Sequence, residues 1–142
     1  MSNIIIGKHT LESLTTGMYS NPYVVFREYI QNSADSIDNA IRLNIIGAGS
    51  DEITIRLSPA ERKIVITDNG TGISSEIAEQ TLISIGNSKK SSDLDRGFRG
   101  IGRLAALGYC STLTFETSAV SETESTRIVI DSNRLAAINS KR

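Results

Sequence analysis

The sequence predicts an α+β fold, a two-layer sandwich with helices on one face of a sheet. Two pairs of segments, residues 52–58 with 62–68 and 111–117 with 126–131, are rich in β-branched residues and alternate as strands do. A long segment from Asn21 to about Leu43 has helical periodicity. The 142 residues contain no repeat or linker, so we expect one domain.

Local signals place the other elements. Asn21 and Pro22 are typical of a helix start, and the segment GAGSD (47–51) is expected to break the long helix. A tight turn around residues 59–61 is expected to join the first two strands. Residues 84–99 lack periodicity and predict a loop. The remaining predicted elements are a strand over residues 3–6, helices over 10–18, 74–83 and 101–107, and a helical piece over 133–138.

Composition excludes several classes of function. The net charge of −1 argues against nucleic acid or an anionic membrane as the main partner. The single cysteine, Cys110, excludes an internal disulfide, favours a reducing cytoplasm and, in its apolar context, predicts a buried inert thiol. With His9 as the only histidine, a His/Cys metal site or a Ser-His-Asp triad lacks its residues. No signal peptide or membrane span is recognisable, so we expect a cytoplasmic protein.

The long helix carries a polar stripe opposite its apolar side. At about 100° per residue, Glu28, Asn32 and Asp35 fall within roughly 60° of one another. By itself this stripe is typical of the solvated face of an amphipathic helix. The apolar side is predicted to contain Phe26, Ile30, Ala34, Ile37 and Ile41.

The segment DNGTG, residues 68–72, follows a predicted strand. Asn-Gly between strands is a strong hairpin signal, but the polar, helically periodic segment after Gly72 argues against a second strand there. The glycines at positions 70 and 72 would let a flat group approach the backbone. The Asp68 carboxylate can accept a hydrogen bond from an exocyclic amine such as that of adenine.

A second glycine motif, GFRGIG (97–102), precedes a short apolar segment. Backbone N–H groups at a helix start form a site for phosphate. The order G-x-x-G-x-G differs from the G-x-G-x-x-G of dinucleotide folds, and no G-x4-G-K-[ST] motif is present, which excludes a P-loop. Taken alone, the motif also fits a flexible turn.

Three motifs follow one another over roughly residues 20–117: the helix with E-x3-N-x2-D, the strand end with D-x-G-x-G, and the loop with G-x-x-G-x-G. This set resembles the ATP-binding domain of the GHKL superfamily, which comprises gyrase B, the ninety-kilodalton heat-shock chaperones, sensor histidine kinases and MutL. Residues 18–38 are most similar to the chaperone branch, and GFRG (97–100) is similar to MutL. The resemblance implies a Bergerat-type fold with a mixed sheet, and an ATP lid over residues 84–99.

The resemblance also implies roles for matching residues. Glu28 matches the general base that activates the attacking water, and Asn32 matches the ligand of Mg²⁺. Asp35 matches a residue of the pocket wall, and Asp68 matches the carboxylate that binds adenine. The other implied nucleotide contacts are the close-approach glycines Gly70 and Gly72, the apolar contacts Ile73 and Leu82, the lid lysines Lys89 and Lys90 (phosphate or solvent), and the phosphate-binding motif with Gly97, Arg99, Gly100, Ile101 and Gly102.

The chain departs from the family pattern near its end. The family's domain continues into a strand with a Gly-Thr pair whose threonine holds a water at adenine, and no such pair follows the second glycine motif. We therefore expect this C-terminal strand to be missing and the chain to be an N-terminal fragment of a longer protein.

Three hypotheses follow. The leading one is a Mg²⁺-dependent ATPase domain whose lid closure controls the conformation or dimerisation of a larger protein, with the homodimer formed through regions outside this chain. The alternatives are a regulatory module that binds ATP or ADP without hydrolysis, and an interaction domain whose glycines only form turns. Histidine-kinase activity is disfavoured, because that branch usually lacks the glutamate found at Glu28. The client protein is not predicted.

Overall fold

A computed structural model describes residues 21–83 and 103–132. The α+β fold is confirmed. The predicted elements over residues 3–6, 10–18, 84–99 and 133–138 lie outside the described residues. The described elements, in chain order, are helix α1 (Pro22–Arg42), strands β1 (Ile53–Ser58) and β2 (Lys63–Asp68), helix α2 (Ser75–Ile83), a short 3₁₀ helix (Ala105–Gly108), and strands β3 (Thr112–Thr117) and β4 (Thr126–Asp131).

Helix α1 begins at the residues that the sequence predicts. The residue that ends it is not one of the residues predicted to do so. The Asn21 side chain accepts a hydrogen bond from the Tyr23 N–H at 3.0 Å, and Pro22 occupies the first turn. At the other end, Asn44 adopts a positive φ of 58°. The N–H of Ile45 then reaches the carbonyl of Ala40 at 2.8 Å, a Schellman closure. Asn44 therefore ends the helix before the glycines of residues 47–51.

Strands β1 and β2 form the predicted antiparallel hairpin. Their six residue pairs run from Ile53 opposite Asp68 to Ser58 opposite Lys63. The turn over residues 59–62 closes with a hydrogen bond from the Arg62 N–H to the Pro59 carbonyl at 3.1 Å. This register places Asp68 at the last position of β2, on the same face as Ile53.

Helix α2 follows the segment 69–74, as predicted, so the hairpin alternative for DNGTG is excluded. The second pair of strands, β3 and β4, is also antiparallel, with six residue pairs. The short helix predicted over residues 101–107 is a single 3₁₀ turn, Ala105–Gly108. Among the described residues the four strands form two separate two-stranded sheets, where the family resemblance implies one mixed sheet.

The main core lies between the start of α1, helix α2, the 3₁₀ turn and strand β4. Its largest fully buried side chains are Leu104 and Ile130. A second buried pair on α1, Ile37 and Ala40, lies in the half of the helix that packs on the first hairpin. Helix α1 therefore contributes to both buried regions. Within the described ranges, no helix is long and apolar enough to cross a membrane.

The buried side of α1 differs from the apolar side predicted by periodicity. Ile37 is buried as expected, but Ile30 is 36% exposed and Ser33 is only 6% exposed. The buried line runs through Val25, Ser33, Ile37 and Ala40. A serine can occupy this line because its hydroxyl has a hydrogen-bond partner on β2.

Truncation of Leu104 tests the core. Because this side chain is 0% exposed, we expect Leu104→Ala to lower the free energy of unfolding by about 2–5 kcal/mol. Leu57→Ala removes the same atoms from a side chain that is 69% exposed, and we expect a loss below about 1 kcal/mol. Urea unfolding followed by circular dichroism measures both. Equal losses would contradict the assignment of the core.

Candidate functional site

The Asp68 carboxylate is exposed at the end of β2 and is oriented by two internal donors. The Ser33 hydroxyl on α1 donates to Oδ2 at 2.8 Å, and the Gly70 N–H donates to Oδ1 at 3.0 Å. Each oxygen keeps further acceptor capacity. The arrangement therefore presents a fixed pair of acceptors to a ligand that carries a hydrogen-bond donor.

The segment after Asp68 is held against α1. The Thr71 N–H donates to the Ser36 carbonyl at 3.3 Å, and the two hydroxyls of these residues lie 3.2 Å apart. Asn69 turns the other way, and its amide donates to the Ser50 carbonyl at 2.6 Å and accepts from the Glu52 N–H at 2.9 Å. The backbone around the carboxylate is thus tied to α1 on one side and to the start of β1 on the other.

At both glycines of DNGTG, neighbouring groups of the protein leave no room for a side chain. A Cβ at Gly70 would overlap the side chain and backbone of Ser36. A Cβ at Gly72 would overlap the Ser118 carbonyl, and Gly72 also has a positive φ of 63°. The sequence predicts that these glycines let a ligand approach. The described groups that approach them closely are Ser36 of α1 and Ser118 after β3.

The second hairpin supports the same segment from the other side. The Ile73 N–H donates to the Thr117 hydroxyl at 2.8 Å. The Glu122 carboxylate accepts from the N–H and the hydroxyl of Ser75, both at 2.7 Å, and from the Ala119 N–H at 2.9 Å. These hydrogen bonds, the one from Ala119 first, lower the pKa of Glu122. Glu122 therefore joins the β3–β4 loop to the start of α2.

The polar stripe of α1 is only partly assembled into this site. Glu28 and Asn32 are half-buried, and no side-chain hydrogen bond to either is present among residues 21–83 and 103–132. Asn32 directly precedes Ser33, which binds Asp68. Asp35 is exposed and accepts a hydrogen bond from the Gln31 amide at 3.0 Å, one turn earlier on the helix. Its place on the pocket wall stays a prediction.

The two predicted apolar contacts to the base lie at the core. Leu82 is buried in the main core and Ile73 is half-buried against it. Cys110 is half-buried, and burial raises the pKa of its thiol while a hydrogen bond with the Thr112 backbone opposes this. A raised thiol pKa disfavours the nucleophilic thiolate.

A hydrogen-bonded cluster joins α1 to the chain that follows the second glycine motif. The Tyr29 hydroxyl donates to the Arg103 carbonyl at 2.7 Å and accepts from the Ala106 N–H at 3.3 Å. The Arg103 guanidinium donates to the Thr81 carbonyl of α2 at 2.6 Å, and burial lowers its pKa. The predicted residues Lys89, Lys90, Gly97, Arg99, Gly100, Ile101 and Gly102 lie outside the described residues.

Several of these supporting residues were not predicted. Ser33 lies on the same side of α1 as the buried apolar residues Val25 and Ile37. A polar residue at such a position is the signal that could have identified it. Nothing in the local sequence shows that Thr117 binds Ile73 or that Glu122 binds Ser75, because these pairs are 44 and 47 residues apart.

Comparison with known proteins places the sequence in a family. The sequence profile described as "Histidine kinase-, DNA gyrase B-, and HSP90-like ATPase" matches residues 19–141, most of the chain. The chain belongs to this family. The GHKL resemblance is thereby confirmed, and the family is one of ATP-binding domains.

The relatives agree with the chaperone branch. The chain is 37% identical to the chaperone protein HtpG of Bordetella avium over 87 residues. This aligned segment covers 57% of this chain and 14% of HtpG. HtpG of Clostridium perfringens is 27% identical over 125 residues, 80% of this chain and 20% of HtpG. HgiDII of Herpetosiphon aurantiacus, provisionally named a type II restriction enzyme, is 33% identical over 110 residues, 72% of this chain and 16% of that protein. The aligned segments are a fifth or less of these relatives.

The Glu122 link in this ATPase-family domain predicts a pH-dependent stability. Because the folded pKa of Glu122 is lowered from its ordinary value of 4.5, its contribution is fully present above that value and is lost as pH falls through the folded pKa. We expect Glu122→Gln to lower the melting temperature at pH 7, and the difference from the unmodified chain to shrink as the pH is lowered below 4.5.

Glu124→Gln is the matched control, since Glu124 lies in the same loop and has no side-chain hydrogen bond within the described part of the chain. Melting curves from about pH 3 to 8, a range that includes the titration of carboxylates near pH 4, measure both variants. A pH-independent difference for Glu122→Gln, or an equal effect of Glu124→Gln, would contradict the link.

Proposed function

We propose that this domain binds ATP through Asp68 and hydrolyses it with Glu28 as the general base. The observation that carries the proposal is the Asp68 carboxylate, exposed at a strand end and oriented by Ser33 and Gly70. The family match over residues 19–141 supports adenine nucleotide as its ligand. Because the chain spans a fifth or less of its relatives, the activity of the whole protein is part of the proposal.

Asp68 recognises adenine through its charge and its fixed orientation. A carboxylate only accepts hydrogen bonds, so it selects the exocyclic amino group of the base. Its geometry needs no rearrangement when the nucleotide arrives, because Ser33 is on a helix and Gly70 is on a segment tied to that helix through Thr71. Such preorganisation lowers the entropic cost of binding.

Glu28 is the proposed general base. It lies five residues before Ser33 on α1, about 7.5 Å along the helix axis at a rise of 1.5 Å per residue. Its half-buried carboxylate is free of side-chain partners within the described residues, so it can accept a proton from a water. General-base catalysis of this kind contributes roughly 10²–10⁴-fold to a rate.

The residues present fit Mg²⁺. Asn32 offers an amide oxygen, a hard donor suited to this cation, half-buried one turn after Glu28 on the same helix. Asn32 would hold the ion together with phosphate oxygens and water. Bound Mg²⁺ would neutralise charge on the phosphates.

The conformational part of the proposal rests on the family and on chain position. Residues 84–99 lie between helix α2 and the segment that begins at Arg103. In the proposal these residues form a lid that closes over ATP and controls the conformation or dimerisation of a larger protein. The location in the cytoplasm stays a prediction.

Asp68→Asn tests the adenine assignment. The Asn amide oxygen can still accept from the Gly70 N–H while its NH₂ group donates to the Ser33 oxygen, so the fold is preserved. The other NH₂ hydrogen then faces the ligand where an acceptor is needed. We expect binding of ADP to weaken by about 10- to 150-fold, the equivalent of one charge-assisted hydrogen bond.

Calorimetric titration of ADP with Mg²⁺ measures this change. Asp51→Asn is the control, because Asp51 is exposed before β1 and makes no described side-chain hydrogen bond. Unchanged ADP binding by Asp68→Asn would refute the role of Asp68.

Glu28→Ala separates hydrolysis from binding. We expect ADP and ATP to bind within about twofold of the unmodified chain, and phosphate release to fall by at least 10²-fold. Glu61→Ala, in the turn between β1 and β2, is the control that removes a carboxylate far along the hairpin from Asp68. Single-turnover phosphate release measures both variants. Activity of these 142 residues alone is expected to be weak or absent, so the regulatory-module alternative replaces the ATPase if the full-length protein also binds ATP without turnover.

A further inference from the structure

Tyr29 is a half-buried side chain for which the proposed chemistry has no role. It follows Glu28 directly on α1 and packs against the main core. Its hydroxyl donates to the Arg103 carbonyl at 2.7 Å and accepts from the Ala106 N–H at 3.3 Å. One phenol thus binds two backbone groups from the turn that enters the 3₁₀ helix, across 74 and 77 residues of sequence.

Arg103 ties the same turn to a second element. Its guanidinium donates to the Thr81 carbonyl in the last turn of α2 at 2.6 Å. The two residues that follow, Leu104 and Ala105, are fully buried in the core. The turn is therefore held by α1 through Tyr29, by α2 through Arg103, and by the burial of its own side chains.

This turn begins where the second glycine motif ends. Gly102 directly precedes Arg103 in the chain. On α1, Ser33 is the residue that contacts Asp68. Tyr29 lies four residues earlier on this helix, about 6 Å away along the helix axis. The anchored turn therefore meets α1 beside Glu28 and away from the proposed adenine contact.

We propose that Tyr29 is a positioning residue for the phosphate end of the nucleotide site. Its phenol fixes the Arg103–Ala106 turn on the helix that carries Glu28, so that this turn and the general base keep a constant distance from each other. This inference rests on the proposed function. It adds a residue that acts through the backbone of the turn and touches neither nucleotide nor water.

Tyr29→Phe removes the hydroxyl and keeps the ring in the core. Because Asp68 is held by other residues, binding of adenosine should change by less than about twofold. Binding of ADP with Mg²⁺ should weaken by about 3- to 30-fold, the equivalent of one hydrogen bond, because a turn released from α1 must be ordered again when the phosphates bind. Titration calorimetry of residues 1–142 with each ligand measures the two affinities.

Tyr23→Phe is the matched control, since Tyr23 is on the same helix, is 78% exposed, and has no hydroxyl partner in the described ranges. Amide hydrogen exchange provides a second readout, because the Ala106 N–H should lose protection in Tyr29→Phe and keep it in Tyr23→Phe.

The outcomes separate this inference from the proposed function. A selective loss of ADP affinity with faster exchange at Ala106 supports it. Equal weakening of adenosine and ADP would show a general loss of structure and overturn it, as would unchanged ADP binding. If the unmodified chain binds neither ligand, the assignment of Asp68 to adenine fails first, and the role of Tyr29 fails with it.

Discussion

The hydrogen bond from the Ser33 hydroxyl to Asp68 is the constraint on which the site depends. It joins a helix to a strand end 35 residues away, and its donor is 6% exposed. A buried hydroxyl needs a partner, and Asp68 provides it where α1 packs on the first hairpin. The carboxylate that we propose binds adenine is therefore also the group that Ser33 of the helix contacts. Under the proposed function, packing of the helix and recognition of the ligand would use the same carboxylate.

The segment that follows Asp68 at the end of the first hairpin is supported by the second hairpin. The described strands form two separate sheets, and no backbone ladder joins them. Side chains connect them instead, since Thr117 and Glu122 bind the segment that leads from Asp68 to α2. The close contact of Gly72 with the Ser118 carbonyl completes this support. The Glu122 part of this junction depends on protonation, because the hydrogen bonds that lower the pKa of Glu122 are made by its ionised carboxylate.

Local signals in the sequence were sufficient for most of the described elements. The start of α1 follows from Asn21 and Pro22, and both hairpins follow from alternation and turn residues. The order of the motifs also identified the family before any contact was known. The contacts that orient Asp68 could not be predicted in this way. Without its partner on β2, Ser33 cannot be distinguished from the other polar residues of α1. The glycines are equally compatible with close approach of a ligand and of a neighbouring segment of the protein.

The register of the first hairpin has a consequence for how this domain can vary in length. Asp68 is opposite Ile53 at the end of six consecutive pairs, and side chains along a strand alternate between faces. Deleting one residue within β2 would turn the carboxylate to the opposite face of the sheet, away from Ser33. Deleting two would restore the face and shorten the hairpin. Insertions and deletions in β2 that keep Asp68 beside Ser33 are therefore expected to be of even number. The turn over residues 59–62 can change length without reversing the face of Asp68.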